Sequence, residues 1–72
     1  MTPLEIQFEL KKRGITQKSI ADEMGVSEFH VSAIIRKIRT SDRIMKFIAQ
    51  KIGRDYRVVF PEHYLAPKKS AA

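Results

Sequence analysis

Six side chains with hydrogen-bonding or apolar contact chemistry recur at helical spacing between residues 27 and 36. A carboxylate can accept from a cytosine amino group, a phenyl or methyl group can contact a thymine methyl, and an arginine can donate to guanine or to phosphate. On a helix they share one side, because their neighbours Val31 and Ile34 face the other. The candidate base-reading residues are Ser27, Glu28, Phe29, Ser32, Ala33 and Arg36.

These residues lie on the second of two short helices that the sequence predicts over residues 17–24 and 28–37. Three residues connect the helices, so the pair is a helix-turn-helix unit, whose second helix can lie in the major groove of DNA. Ala21 lies where the helices approach most closely, Gly25 supplies a left-handed turn, and Ser27 caps the second helix. The predicted buried seam consists of Ile20, Met24, Val31, Ile34 and Ile35.

An eight-residue pattern in this unit resembles the lambda repressor and Cro superfamily. The whole plan, ending in FPEHY after the last long helix, is also similar to the Ner-type regulators of transposable phages. The resemblance implies an all-α, compact four- to five-helix DNA-binding domain. It also implies that the residue at position 17 bonds a phosphate or supports a base-reading side chain. The matching residues are Gln17, Ile20, Ala21, Met24, Gly25, Val26, Val31 and Ile34.

Two residues of the helix predicted over residues 28–37 have alternative interpretations. Phe29 either contacts DNA or packs against a later helix, predicted over residues 42–52, or against a partner subunit, because an exposed phenyl ring is costly. His30 either flanks the groove or is simply solvated. No metal role is expected for it, because His63 is the only other histidine and no carboxylate cluster is evident.

A first helix is predicted over residues 3–13. Thr2 is its capping residue, a proline follows, and Glu5 stands three residues after the cap, where it can return the capping bond. Ile6 and Leu10 share a four-residue spacing, so these two apolar residues are predicted to be the most deeply buried.

After the helix-turn-helix unit, a fourth helix is predicted over residues 42–52, capped by Thr40 or Ser41. A short helix over 55–60 is favoured over a strand, because a single strand would have no partner for its backbone. Pro61 is predicted to prevent its continuation. The apolar residues of the fourth helix are Ile44, Phe47, Ile48 and Ile52.

Positive charge is concentrated in the second part of the chain. Residues 1–30 hold four Lys or Arg against five acids, whereas residues 31–72 hold ten against three. A one-sided basic surface is typical of a polyanion binder, because each neutralised phosphate releases a counterion. Phosphate contacts are predicted for Lys18, Lys37, Arg39, Arg43 and Lys46, and a supporting or capping role for Thr40.

Length and composition narrow the class of protein. A chain of 72 residues forms one domain, predicted over residues 1–65 with a disordered tail at 66–72. The absence of cysteine excludes disulfides and thiolate metal sites. No run approaches the roughly 20 apolar residues that cross a bilayer, and the first charges follow the apolar residues, unlike in a signal peptide. We therefore expect a cytoplasmic protein, associated with the nucleoid through DNA.

Three classes of function compete. The first is a sequence-specific regulator of transcription that binds double-stranded DNA, of the phage or prophage repressor type. The second is a protein-interaction module or antitoxin-like regulator with the same fold. An enzyme is not expected, and neither is a cofactor or a small-molecule substrate, because the chain has no glycine-rich phosphate loop and only two separated histidines.

A homodimer on DNA is expected, because one helix in one groove reads few bases and a second half-site doubles the contact. A membrane partner is not expected, because the fourth helix lacks a broad apolar face. Residues near the end of the chain are a first guess for the dimer surface, unless the core claims them. They are Val58, Val59, Phe60 and Tyr64.

Overall fold

A computed structural model describes residues 1–65, which form six helices with no β-strand among them. This confirms the all-α class, and the predicted tail at 66–72 lies outside the described residues. None of the helices within residues 1–65 has the length and apolar character needed to cross a membrane. The helices are α1 (Pro3–Lys12), α2 (Gln17–Met24), α3 (Glu28–Ile35), α4 (Asp42–Lys51), α5 (Tyr56–Val59) and α6 (Pro61–Tyr64).

Three of the first four helices begin with a capping side chain that forms its hydrogen bond. The Glu5 N–H donates to the Thr2 hydroxyl (3.1 Å), and the Thr2 N–H donates to the Glu5 carboxylate (2.7 Å), which completes a capping box. The hydroxyls of Thr16 and Ser27 likewise accept from the first turns of α2 and α3. Ser41 occupies the cap position of α4, but its side chain makes no capping bond.

The third helix ends two residues before the predicted end at 37. Lys37 has a left-handed backbone (φ 65°), which a non-glycine residue rarely adopts. The Ile38 N–H donates to the Ala33 carbonyl (2.9 Å) and the Lys37 N–H to the Ile34 carbonyl (3.0 Å). These two hydrogen bonds together form a Schellman motif. The motif normally has glycine at the left-handed position, so a lysine there gives no signal of it in the sequence.

The other helix ends differ by one residue: α1 ends at Lys12 rather than 13, and α4 at Lys51 rather than 52. The predicted short helix at 55–60 is present as Tyr56–Val59. A further helix, α6, was not predicted. Pro61 interrupts α5 but occupies the first position of α6, where its missing N–H costs nothing.

The buried core joins five of the six helices. Ile6 and Leu10 are buried as predicted, at 0% and 2% exposure. Met24, predicted in the buried seam, and Phe47, predicted among the regularly spaced apolar residues of the fourth helix, are half-buried against the core, whereas Met45 is buried within α4. The core consists of Ile6, Leu10, Ile20, Ala21, Val31, Ile34, Ile35, Ile44, Met45, Ile48, Ala49, Ile52, Val59 and Phe60.

The turn between α2 and α3 has the predicted geometry. Gly25 is left-handed (φ 69°), and a Cβ added there would meet no atom within 4 Å. Glycine is therefore favoured by backbone conformation and not by lack of space. The main-chain N–H groups of Gly25 and Val26 both donate to the Ala21 carbonyl, which binds the turn to α2.

Ala21 is 2% exposed in the contact between α2 and α3. We expect Ala21→Leu to lower the free energy of unfolding by about 1–3 kcal/mol, because the extra carbon atoms force the helices apart. Chemical denaturation measures this change. Lys18→Leu is the control, because it places the same side chain on an exposed position of α2. Equal midpoints for the two variants would contradict the close approach at Ala21.

Candidate nucleic-acid interface

The two sides of α3 differ sharply in exposure. Val31, Ile34 and Ile35 are 0% exposed and anchor the helix to the core. Glu28 and Phe29, in the first turn, are exposed, and so is Arg36 at the end of the helix. The amino end of α3 thus presents a carboxylate and a phenyl ring to solvent, with a guanidinium two turns later.

The beginning of α3 is fixed by its cap. The Ser27 hydroxyl accepts from the His30 N–H at 3.1 Å, and Ser27 is itself exposed. Ser32 is half-buried, one turn after Glu28. A capped first turn holds the outward side chains in defined positions, as a surface that reads base edges requires.

The sequence predicts that Ala33 faces outward, but the structure buries it. It is 6% exposed, because the chain folds back over it after α3. The main-chain N–H groups of Ile38 (2.9 Å) and Arg39 (3.3 Å) both donate to its carbonyl. Spacing placed Ala33 one turn after Phe29, but the covering segment follows the left-handed Lys37, which the spacing did not indicate.

Phe29 is 75% exposed, so the alternative in which it packs against the fourth helix is wrong. His30, the next residue, is half-buried. A phenyl ring left in water at the start of α3 is available for contact with another molecule, since burial of a side chain of this size is favourable by about 1.5–3 kcal/mol.

Four of the predicted DNA-contacting cations stay clear of carboxylates. Within residues 1–65, no carboxylate lies within 4.0 Å of the charged groups of Lys18, Arg36, Arg39 or Arg43. Arg43 donates to the Met24 carbonyl at 3.3 Å, which connects the start of α4 to the end of α2. These four side chains retain the positive charge that phosphate contacts require.

Lys37 has a structural contact that the sequence did not indicate. Its half-buried side chain donates to the Met1 carbonyl (2.5 Å) and to the Glu62 carboxylate (2.7 Å). The lysine thereby joins the end of α3 to the chain before α1 and to α6. The partners are 36 and 25 residues away in sequence, so no local pattern marks them.

Lys46 is also engaged within the protein. Its ammonium lies 3.2 Å from the Asp42 carboxylate and 4.9 Å from the centre of the Tyr56 ring. The Tyr64 hydroxyl donates to the same carboxylate at 2.5 Å, and its ring meets Tyr56 edge to face. This hydrogen bond, supported by Lys46, holds the pKa of Asp42 below its ordinary value.

The remaining two predicted supporting residues lie at helix beginnings. Gln17 is the first residue of α2 and is half-buried, beside Gln7 and Lys11 in a shallow cleft. Thr40 is exposed next to Arg39 and borders a cavity of about 120 Å³. Neither position prevents contact with a backbone phosphate, and neither residue forms a cap.

The first guess for a dimer surface is wrong for half of its residues. Val59 is 0% and Phe60 2% exposed, so both belong to the core. Val58 is 49% exposed, whereas Tyr64 is half-buried against Asp42 and Tyr56. The sequence did not indicate which of these neighbouring apolar residues are buried, because a helix of four residues buries only one of its sides.

Comparison with known families identifies the class of domain. A family model described as winged helix-turn-helix DNA-binding matches residues 1–72. Residues 1–65 contain no β-strand, so the wing of that description has no counterpart in the part of the chain that the structure describes. No curated protein and no solved structure gives a significant match to the chain.

Proposed function

The chain belongs to a winged helix-turn-helix DNA-binding family, and we propose that it is a sequence-specific regulator of transcription. The family assignment makes double-stranded DNA the partner and points to a non-enzymatic regulator. Beyond this, we propose a repressor of the phage or prophage type, similar to the Ner-type regulators, that acts by covering a promoter. The resemblance of residues 17–34 and of the FPEHY ending supports this narrower assignment.

One observation carries the proposal of sequence specificity. The side of α3 opposite the core presents Glu28, Phe29 and Arg36 to solvent, while its other side is completely buried. A rigid helix with chemically distinct exposed groups at its amino end suits the major groove, where each base pair offers a different pattern of donors and acceptors.

The exposed groups have separate roles in this proposal. Glu28 accepts from a cytosine amino group, Phe29 contacts a thymine methyl, and Arg36 donates to a guanine or to a phosphate. Ser27 and Ser32 supply further hydroxyls near the groove. Ala33 has no role because it is buried.

The phosphate contacts are assigned to the cations around α3. Lys18, Arg39 and Arg43 lie clear of carboxylates within residues 1–65 and contact the DNA backbone in this proposal. Lys37 and Lys46 contribute less, because each one already has a carboxylate partner. Gln17 and Thr40 support the contact from the starts of α2 and α4.

Selection of bound duplexes from a random pool tests the proposal directly. We expect one preferred sequence made of two half-sites about one helical turn apart, as a homodimer on DNA requires. A pool without enrichment would contradict sequence specificity. A single, unrepeated site would instead contradict the homodimer.

Two variants test the assigned reading side chains. We expect Glu28→Ala and Arg36→Ala to reduce discrimination against a changed base pair by roughly 5- to 150-fold at the position that each contacts. Both residues are exposed, so the free energy of unfolding should change little. Competition binding with single-base variants of the selected site measures the effect. Gln50→Ala, on an exposed position of α4, is the control that should retain full preference.

A further inference from the structure

Helix α1 has a second apolar side that the fold does not use. Ile6 and Leu10 are buried, but Leu4 is 77% and Phe8 62% exposed. The exposed pair is spaced by four residues and therefore lies together on the side opposite the buried pair. Both line a shallow cleft with Met1 and Arg54. Two large apolar residues exposed side by side indicate a contact site, whereas single scattered ones are normal on a protein surface.

Charge along this exposed side runs from negative to positive. Glu5 follows Leu4, and Lys12 lies one turn after Phe8, with its ammonium 5.5 Å from the centre of the phenyl ring and 3.5 Å from the Glu9 carboxylate of the same helix. The Glu5 carboxylate accepts from the Thr2 N–H (2.7 Å), and this hydrogen bond lowers the pKa of Glu5. A surface with an acid at one end and a base at the other is complementary to its own antiparallel copy.

We propose that the outer side of α1, formed by Leu4, Glu5, Phe8 and Lys12, binds a second copy of the chain. The two copies of α1 pack antiparallel, with the two Phe8 rings meeting on the two-fold axis. Leu4 then packs on the aliphatic stem of Lys12 in the second copy, and Glu5 faces that lysine's ammonium, which Glu9 of its own chain also contacts. This surface replaces the earlier guess near residue 59.

The size of the surface makes the dimer weak in free solution. Helix α1 has ten residues and is about 15 Å long. A contact between two helices of this length buries less than the roughly 1,200 Å² of a standard stable interface. Two copies on adjacent half-sites are close together, which raises their effective concentration and lets a small contact produce cooperative binding. That consequence depends on the proposed function, but the surface itself does not.

Cysteine cross-linking of free protein tests the surface, because the parent chain has no cysteine. In the antiparallel arrangement the two copies of residue 8 meet, whereas the two copies of residue 4 are about 12 Å apart along the axis. A disulfide needs Cα atoms within about 7 Å. At high concentration under mild oxidation, we expect Phe8→Cys to form covalent dimers at least about tenfold faster than Leu4→Cys. Equal rates, or dimers no faster than with Leu65→Cys, would overturn the proposal.

A second variant keeps the test independent of cysteine chemistry. Phe8→Glu should bind a duplex with one half-site as well as the parent does but lose cooperativity on a duplex with two half-sites. Leu65→Glu is the control, because Leu65 is also exposed, at 61%, and lies outside α1. Unchanged cooperativity for Phe8→Glu would contradict the surface. Loss of preference for any half-site by the parent would contradict the proposed function, while the cross-linking result would still decide the surface.

Discussion

Raising the salt concentration from about 50 to about 200 mM is expected to weaken binding of one copy to a duplex with a single half-site by roughly two orders of magnitude. Four cations carry this estimate: Lys18, Arg36, Arg39 and Arg43, which lie clear of carboxylates within residues 1–65. Each phosphate that they neutralise releases condensed counterions, so the affinity falls as a power of the salt concentration. Fluorescence anisotropy of a labelled duplex at several salt concentrations measures the slope.

The slope of log affinity against log salt concentration also tests which cations contact phosphates. We expect Arg43→Gln to reduce its magnitude by about one, because one phosphate contact is lost. Lys46→Gln should reduce it by less, since the ammonium is already paired with Asp42. Arg54→Gln is the matched control: it removes the same charge from a residue beside Leu4 and Phe8, outside the candidate interface. An affinity that does not depend on salt would contradict binding through phosphates and favour the alternative in which the fold binds another protein.

The local part of the fold could be predicted from the sequence. The range 17–24 for α2, the capping box at Thr2 and the left-handed Gly25 all depend on interactions within a few residues. The even spacing of Ile6 and Leu10 likewise predicts burial without knowledge of the partner helix. Such features follow from the geometry of the helix and its ends.

Features produced by distant contacts could not be predicted. The left-handed Lys37 ends α3 early, and its side chain bonds Met1 and Glu62, which are far away in sequence. The return of the chain after α3 then buries Ala33, which spacing alone placed on the outer side. The spacing of the apolar residues along α4 was similarly misleading, because it did not show whether Met45 or Phe47 is the more deeply buried.

The same distant contacts limit which predicted DNA-binding residues remain available. The pairing of Lys46 with Asp42, four residues earlier on α4, could have been inferred from spacing, whereas the support of that carboxylate by Tyr64, 22 residues away, could not. Sequence reasoning therefore predicted the exposure of Glu28, Phe29 and Arg36 but not the burial of Ala33, and it overestimated the number of cations around α3 that lack a carboxylate partner. The dependence of affinity on salt tests the cations proposed to contact phosphates, and the base preferences test the side chains of α3 proposed to contact bases.

The integrity of the core has the largest expected effect on stability. Ile48 is 0% exposed in the middle of α4. We expect Ile48→Ala to lower the free energy of unfolding by about 2–5 kcal/mol, because it removes buried apolar surface and leaves a cavity. A domain of this size has a total stability of only about 4–11 kcal/mol, so this loss is a large fraction of the total. Urea denaturation followed by circular dichroism measures the change.

Gln50→Ala separates the packing effect from any general effect of alanine in α4. Gln50 is exposed on the same helix, so its loss should change the unfolding free energy by less than about 0.5 kcal/mol. In Ile48→Ala the denaturation midpoint should fall while the slope stays constant, because the surface exposed on unfolding is nearly the same. DNA binding should weaken only in proportion to the unfolded fraction, since Ile48 lies on the side of α4 that is buried in the core. A midpoint equal to that of Gln50→Ala would contradict the central position of Ile48.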